Sequence, residues 1–216
     1  MIEIRHISKA FGDHVVLYDL SYAIPEGKIS IIMGPSGVGK TTFVRLLLGL
    51  ESPDTGEISG LEGKKLSSVF QEDRLCENLT AGANIRLVLP EQLGTTQDTF
   101  QDITKQKSGG YDFDKLSTSS LKFMRQGFEA MGLPETSISQ KVKEMSGGER
   151  RRVSILRALM ADYDIMVLDE PFKGLDEETK EDVMAYTKKS VAGKTVVMIT
   201  HDRREAEFMG GEIIEL

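Results

Sequence analysis

Cys76 is the only cysteine in the chain. An internal disulfide is therefore excluded, and a reducing compartment suits the protein. Long hydrophobic runs are missing too. The longest purely apolar stretches, such as 46–48 and 165–168, are a few residues each, far short of the roughly 20 that a membrane-spanning helix needs. Positive charge is not in excess. The formal net charge of −7 argues against a nucleic-acid surface as the main binding face. Residues 1–12 carry neither the basic nor the apolar region of a signal peptide. No internal repeat or low-complexity tract interrupts the chain, and its composition is not that of a disordered protein. What is left is an ordinary globular protein of 216 residues, long enough for a substantial core and expected to stay inside the cell.

Periodicity organises that length. Residues 2–8 alternate apolar and polar as a half-buried strand does. A turn at Phe11, Gly12 and Asp13 leads to a second strand over 15–24. After Pro25, Glu26 and Gly27 a short apolar strand runs to Met33. The spacing predicts a helix over 40–49, with Phe43, Leu46, Leu47 and Leu50 inward, and short strands over 56–60 and 65–71. From about 67 to 145 strand signals fade. Helices are predicted around 80–89, 118–132 and 136–144, with 94–116 a polar loop or loosely structured insertion between them. After Ser146 the alternation returns. A helix over 148–163 turns Val153, Leu156, Leu159 and Met160 inward, and a buried strand spans 164–171. A helix over 177–191, a buried strand over 194–200, a helix over 203–209 and a last strand complete the series. Apolar strands alternating with helices imply an α/β fold whose parallel sheet is covered on both faces.

Three stretches carry chemistry. Gly34, Pro35, Ser36, Gly37, Val38, Gly39, Lys40 and Thr41 fit the pattern G-x-x-x-x-G-K-[ST] between a strand and a helix. Such a loop, continued by Thr42, wraps backbone N–H groups around nucleotide phosphates. Lys40 adds a full positive charge, the helix start a partial one, and the Thr41 hydroxyl can ligate Mg²⁺. The second stretch is the strand IMVLD, whose four apolar residues aim Asp169 at Mg²⁺, while Glu170 one step on can polarise a water. The third is Ser146, Gly147, Gly148 and Glu149 before a basic helix. It reads either as a helix cap or as a second anion site, and glycine at a helix start costs about 1 kcal/mol against alanine.

In this order the motifs resemble the nucleotide-binding subunits of ABC (ATP-binding cassette) transporters, and the resemblance runs along nearly the whole chain. It implies a phosphate-loop NTPase core with a mixed or parallel sheet, an N-terminal antiparallel β-subdomain and an inserted α-helical subdomain. Within a single domain, 1–74 and 159–216 would form the core and 75–158 the helical subdomain. The resemblance also assigns roles. Phe11 would stack on adenine, Gln71 would reach Mg²⁺ and the attacking water, and His201 would touch the γ-phosphate. Ser146, Gly147, Gly148 and Glu149 form the signature motif, which with Asp176 serves the ATP of a second subunit. Met145, Glu149 and Lys173 stand where Leu, Gln and a small residue are commoner.

The implied protein is an ATPase powering a transporter by ATP-driven dimerisation, with ATP and Mg²⁺ as cofactors. Its partners would be a second ABC ATPase subunit, homo- or heterodimeric, an integral-membrane permease contacted near 71–80 and, in an importer, a solute-binding protein. Nucleic acid is not among them. A compact cassette of this kind resembles prokaryotic importers, peripheral on the inner face of the cell membrane, with no regulatory domain expected beyond the His201 strand. The alternative is a non-transport ABC ATPase driving a few-span membrane partner in cell division or envelope lipid handling.

Overall fold

A computed structural model describes residues 1–89 and 118–216. The expected insertion at 94–116 lies outside the described residues. Two compact units make up the chain. The first comprises Met1–Gln71, Tyr163–Lys173 and Lys188–Leu216, the second Glu72–Asp162 and Gly174–Thr187.

In the first unit β1 (Ile2–Phe11) pairs antiparallel with β2 (His14–Ile24) and with β4 (Thr55–Ser59), giving the order β2-β1-β4. Alternation decides which face is buried: Ile2, Ile4 and Ile7 point inward, joined by Leu17 and Ile24. The second sheet is parallel. Its five strands are β3 (Ile29–Met33), β5 (Leu66–Val69), β6 (Ile165–Asp169), β7 (Thr195–Ile199) and β8 (Glu212–Glu215), in the order β5-β6-β7-β3-β8. Every residue of β6 and β7 is buried, as expected of strands covered on both faces. Helix α1 (Lys40–Leu47) packs Phe43, Val44, Leu46 and Leu47 into the cluster that holds Ile32, Val167 and Val197, each such side chain contributing about 1.5–3 kcal/mol.

Register places the working end of this sheet. Ile32 pairs with Ile199, and Ile199 pairs with Asp169. The loop after β3, the carboxylate closing β6 and the residues after β7 therefore leave the sheet at one carboxyl edge, where ligands of open α/β sheets bind.

The second unit is helical among its described residues. It contains α2 (Ala81–Arg86), α3 (Thr118–Ala130), α4 (Gly147–Met160) and most of α5 (Glu177–Ser190). Helix α6 (Arg203–Met209) belongs to the first unit. No helix among the described residues is long and apolar enough to cross a membrane.

Three sequence expectations are corrected. Residues 136–144 form two 3₁₀ turns, Glu135–Ser139 and Val142–Glu144, rather than one helix. The backbone between them is engaged elsewhere: Ala81 N–H donates to the Gln140 carbonyl and Val142 N–H to that of Leu79. Leu50 is 50% exposed, because Gly49 in a left-handed conformation ends the helix and Leu50 N–H folds back to the Arg45 carbonyl. Leu159 is half-buried, and Ile155 takes the inward place on α4.

Candidate functional site

The turn from β3 into α1 is shaped by its lysine. Lys40 is only 8% exposed, and its ammonium donates to the carbonyl oxygens of Gly34 and Pro35, both at 2.7 Å. Those bonds curl the loop around a buried positive charge. Gly39 closes it at φ 106, and a Cβ there would lie 2.7 Å from Leu17 Cδ2 and 2.9 Å from the Val16 carbonyl oxygen. Only glycine meets both conditions. Helix α1 has no side-chain cap and no acidic residue in its first turn. Helices α2, α4 and α6 are capped by Thr80, Ser146 and Asp202. The uncapped start of α1 leaves its N–H dipoles facing the loop, an arrangement suited to an anion.

Opposite the loop stand the β6 carboxylates. Asp169 is 3% exposed at the strand end. Glu170 follows with φ 46, a left-handed conformation uncommon for such a residue, while its N–H still donates to the Ile199 carbonyl at 2.9 Å. Among the described residues, the side chains of Lys173, His201 and Gln71 reach its carboxylate. Lys173 Nζ lies 2.8 Å from Oε2, His201 Nδ1 3.2 Å from Oε1, and Gln71 Nε2 3.4 Å from Oε2. Burial pushes the Glu170 carboxyl up, but the hydrogen bonds and charges of Lys173 and His201 outweigh it and hold the group below its ordinary range. It therefore stands as a charged acceptor at neutral pH.

Loop and carboxylates share a cleft of about 340 Å³. Ser36, Gly37, Gly39, Lys40, Thr41 and Thr42 form one side of it, and Gln71, Asp169 and Glu170 also line it. Gly34, Pro35 and His201 line a second cavity of about 370 Å³, so they border the loop from another direction. Val38 donates its N–H to the Pro35 carbonyl at 3.4 Å. Phe11 is not among the cleft residues. It ends β1 half exposed, with the Lys9 ammonium 5.5 Å from its ring centroid. Two lining residues escaped the sequence reading of the cleft, Val16 and Lys173. The alternation of β2 shows Val16 to be a strand residue but not which turn it supports. Lys173 stands out in sequence only as an unusual residue, and its tie to Glu170 needs the turn between them.

The residues expected to form the signature motif, Ser146, Gly147, Gly148 and Glu149, lie in the second unit. Ser146 and Glu149 form a reciprocal capping box on α4. The Ser146 hydroxyl accepts from Glu149 N–H at 3.3 Å, and the Glu149 carboxylate accepts from Ser146 N–H at 2.8 Å. The latter bond holds the Glu149 carboxyl below its ordinary range. A Cβ on Gly147 would meet nothing within 4 Å, and one on Gly148 only Leu175 Cδ2 at 3.9 Å. Asp176 caps α5 by accepting from Thr179 N–H at 3.0 Å.

The profile of the family described as ABC transporter matches residues 17–173. The chain belongs to the ABC transporter family. A dimeric structure of MJ0796, a bacterial ABC transporter cassette, aligns at TM-score 0.77 and 31% identity, covering 100% of this chain and 94% of that one. The sulfate/thiosulfate import ATP-binding protein CysA of Synechocystis sp. is 31% identical over 99% of this chain and 57% of its own length. The Nod factor export ATP-binding protein I of Burkholderia lata is 34% identical over 95% of this chain and 64% of its own. The chain thus spans 57% and 64% of the length of these two curated relatives.

Proposed function

We propose that this chain is the ATP-binding and ATP-hydrolysing subunit of an ABC transporter, working as a dimer coupled to an integral-membrane permease. The observation that carries the reading is the cleft at the carboxyl edge of the parallel sheet, where the Lys40 loop meets Asp169 and Glu170.

The donor set fits Mg²⁺ arriving with a nucleotide. One hydroxyl (Thr41), one amide (Gln71) and one carboxylate (Asp169) line the cleft. No group of three His, Cys, Asp or Glu suited to a metal gathers among the described residues. A few protein oxygens shared with substrate phosphates and water is the usual environment of Mg²⁺. Thr41, Gln71 and Asp169 would hold the ion, which when bound neutralises phosphate charge.

The chain's own groups then divide the work. The loop N–H groups and Lys40 bind the phosphates and stabilise the charge that develops as the γ-phosphoryl group leaves. Glu170 directs the attacking water and accepts its proton. His201, within reach of Glu170, orients that carboxylate and touches the γ-phosphate. Phe11 offers a ring face to adenine. Gly147 and Gly148 weaken a helix start by up to about 1 kcal/mol each, and packing around them demands no glycine. Close approach by a second subunit's ATP gives them a purpose, so Ser146, Gly147, Gly148, Glu149 and Asp176 complete the partner's site. In this reading the protein is peripheral on the cytoplasmic membrane face and contacts the permease through 71–80. Relatives named for import and for export share the cassette, and direction is assigned to the membrane partner.

The test is ATP hydrolysis by the purified chain with Mg²⁺, beside Glu170→Gln. The variant is expected to bind ATP, to lose at least about a hundredfold in rate, and to run as an ATP-dependent dimer on a sizing column. A wild-type chain that binds no ATP would contradict the reading.

A further inference from the structure

Lys173 bonds to the carboxylate on which the proposed chemistry depends. Glu170, Pro171, Phe172 and Lys173 form a tight turn, closed by Lys173 N–H donating to the Glu170 carbonyl at 3.3 Å. Pro171 in the second position of such a turn has its φ already set, and Phe172, 1% exposed, pins the turn to the fold. The side chain of residue 173 is thereby brought back over that of residue 170. In this chain it is a lysine, and its ammonium sits 2.8 Å from Glu170 Oε2.

Both oxygens of Glu170 are consequently engaged, Oε2 by Lys173 and Gln71, Oε1 by His201. A water in the cleft that donates to this carboxylate competes with these donors for two oxygens that offer about four acceptor sites between them. The contact to His201 is longer, and Gln71 is at the limit of hydrogen bonding. The Lys173 pair is the shortest, and one end of it is loosely held: the lysine side chain is 52% exposed, the glutamate only 16%. The lysine can swing into water on its four-carbon stem, whereas the glutamate side chain is largely enclosed.

We propose that Lys173 is a positioning residue that tethers Glu170 away from its water-directing pose, so that turnover is slowed while the ammonium holds the carboxylate. This rests on the ATPase reading above and adds to it a restraint built into this chain's own turn. The prediction concerns rate rather than binding. Lys173→Ala removes the tether and leaves Lys40, Thr41 and Asp169 in place. A half-exposed ion pair is weak, so kcat is expected to rise by about two- to fivefold, with KM for ATP changed by less than about twofold.

The experiment compares steady-state ATPase parameters and ATP dissociation constants of wild type, Lys173→Ala, Lys173→Arg and the Glu170→Gln/Lys173→Ala pair, with melting temperatures alongside. A faster Lys173→Ala, a near-wild-type Lys173→Arg and a double variant as inactive as Glu170→Gln support the tether. An unchanged or lower kcat in Lys173→Ala, or a change confined to KM, overturns it and makes Lys173 a surface residue or a phosphate ligand. A chain that binds ATP and stays inactive with and without Lys173 also overturns the tether. A wild-type chain that binds no ATP overturns the ATPase reading itself.

Discussion

The ammonium of Lys40 donates to the carbonyl oxygen of Gly34 at 2.7 Å, across the turn that precedes it. With the matching bond to Pro35, the loop holds its shape around the charge that a phosphate would engage. Lys40→Ala removes both the charge and the internal strut. Charged hydrogen bonds are worth about 1.5–3 kcal/mol, so ATP affinity is expected to fall by about ten- to a hundredfold. Titration calorimetry with ATP and Mg²⁺ checks this, and unchanged affinity would mean that the loop does not hold the phosphates.

Gly39 and Gly147 should respond in opposite ways to alanine. At Gly39 the added Cβ meets Leu17 and the Val16 carbonyl inside 3 Å at φ 106. Gly39→Ala is expected to destabilise the fold by about 1–3 kcal/mol and to weaken nucleotide binding. At Gly147 a Cβ meets open space, so Gly147→Ala should stabilise α4 by up to about 1 kcal/mol while slowing hydrolysis. Urea unfolding paired with an ATPase assay separates the two cases.

Much of this was legible in the sequence. The spacing from Gly34 to Thr41 and the apolar run into Asp169 mark two stretches whose local chemistry is fixed by residue type, and register then joins them at one sheet edge. What could not be read depends on backbone paths. The left-handed Glu170 and the turn that returns Lys173 to it leave no periodic trace. The 136–144 stretch has helical spacing, but its backbone is drawn into bonds with 79–81, a tertiary override of local preference. Leu50 continues the apolar period of α1 and is lost from the core because Gly49 stops the helix first.

The capping box on α4 gives a pH dependence with a definite sign. Glu149 is held below its ordinary value of 4.5, chiefly by the bond from Ser146 N–H. A depressed carboxyl contributes stability that is present above the unfolded value and lost as pH falls through the folded one. Wild type should therefore exceed Glu149→Ala by about 0.3–1 kcal/mol at neutral pH. The gap should close as the solution is acidified below 4.5. Melts of both proteins across that range check it, and a gap that persists at low pH would mean that the carboxylate is not what caps α4.

The central claim is that each chain holds half of two sites, and a mixing experiment tests it most directly. Ser146→Arg spoils the signature motif but leaves the Lys40 cleft intact, while Glu170→Gln spoils the cleft but leaves the signature intact. Each variant alone is expected to bind ATP and to hydrolyse it at least about a hundredfold more slowly than wild type. Mixed in equal amounts, they form heterodimers with one complete site, and hydrolysis should recover well above the sum of the two variants measured separately. A mixture that only averages the two rates, or a Ser146→Arg chain as active alone as wild type, would contradict the account.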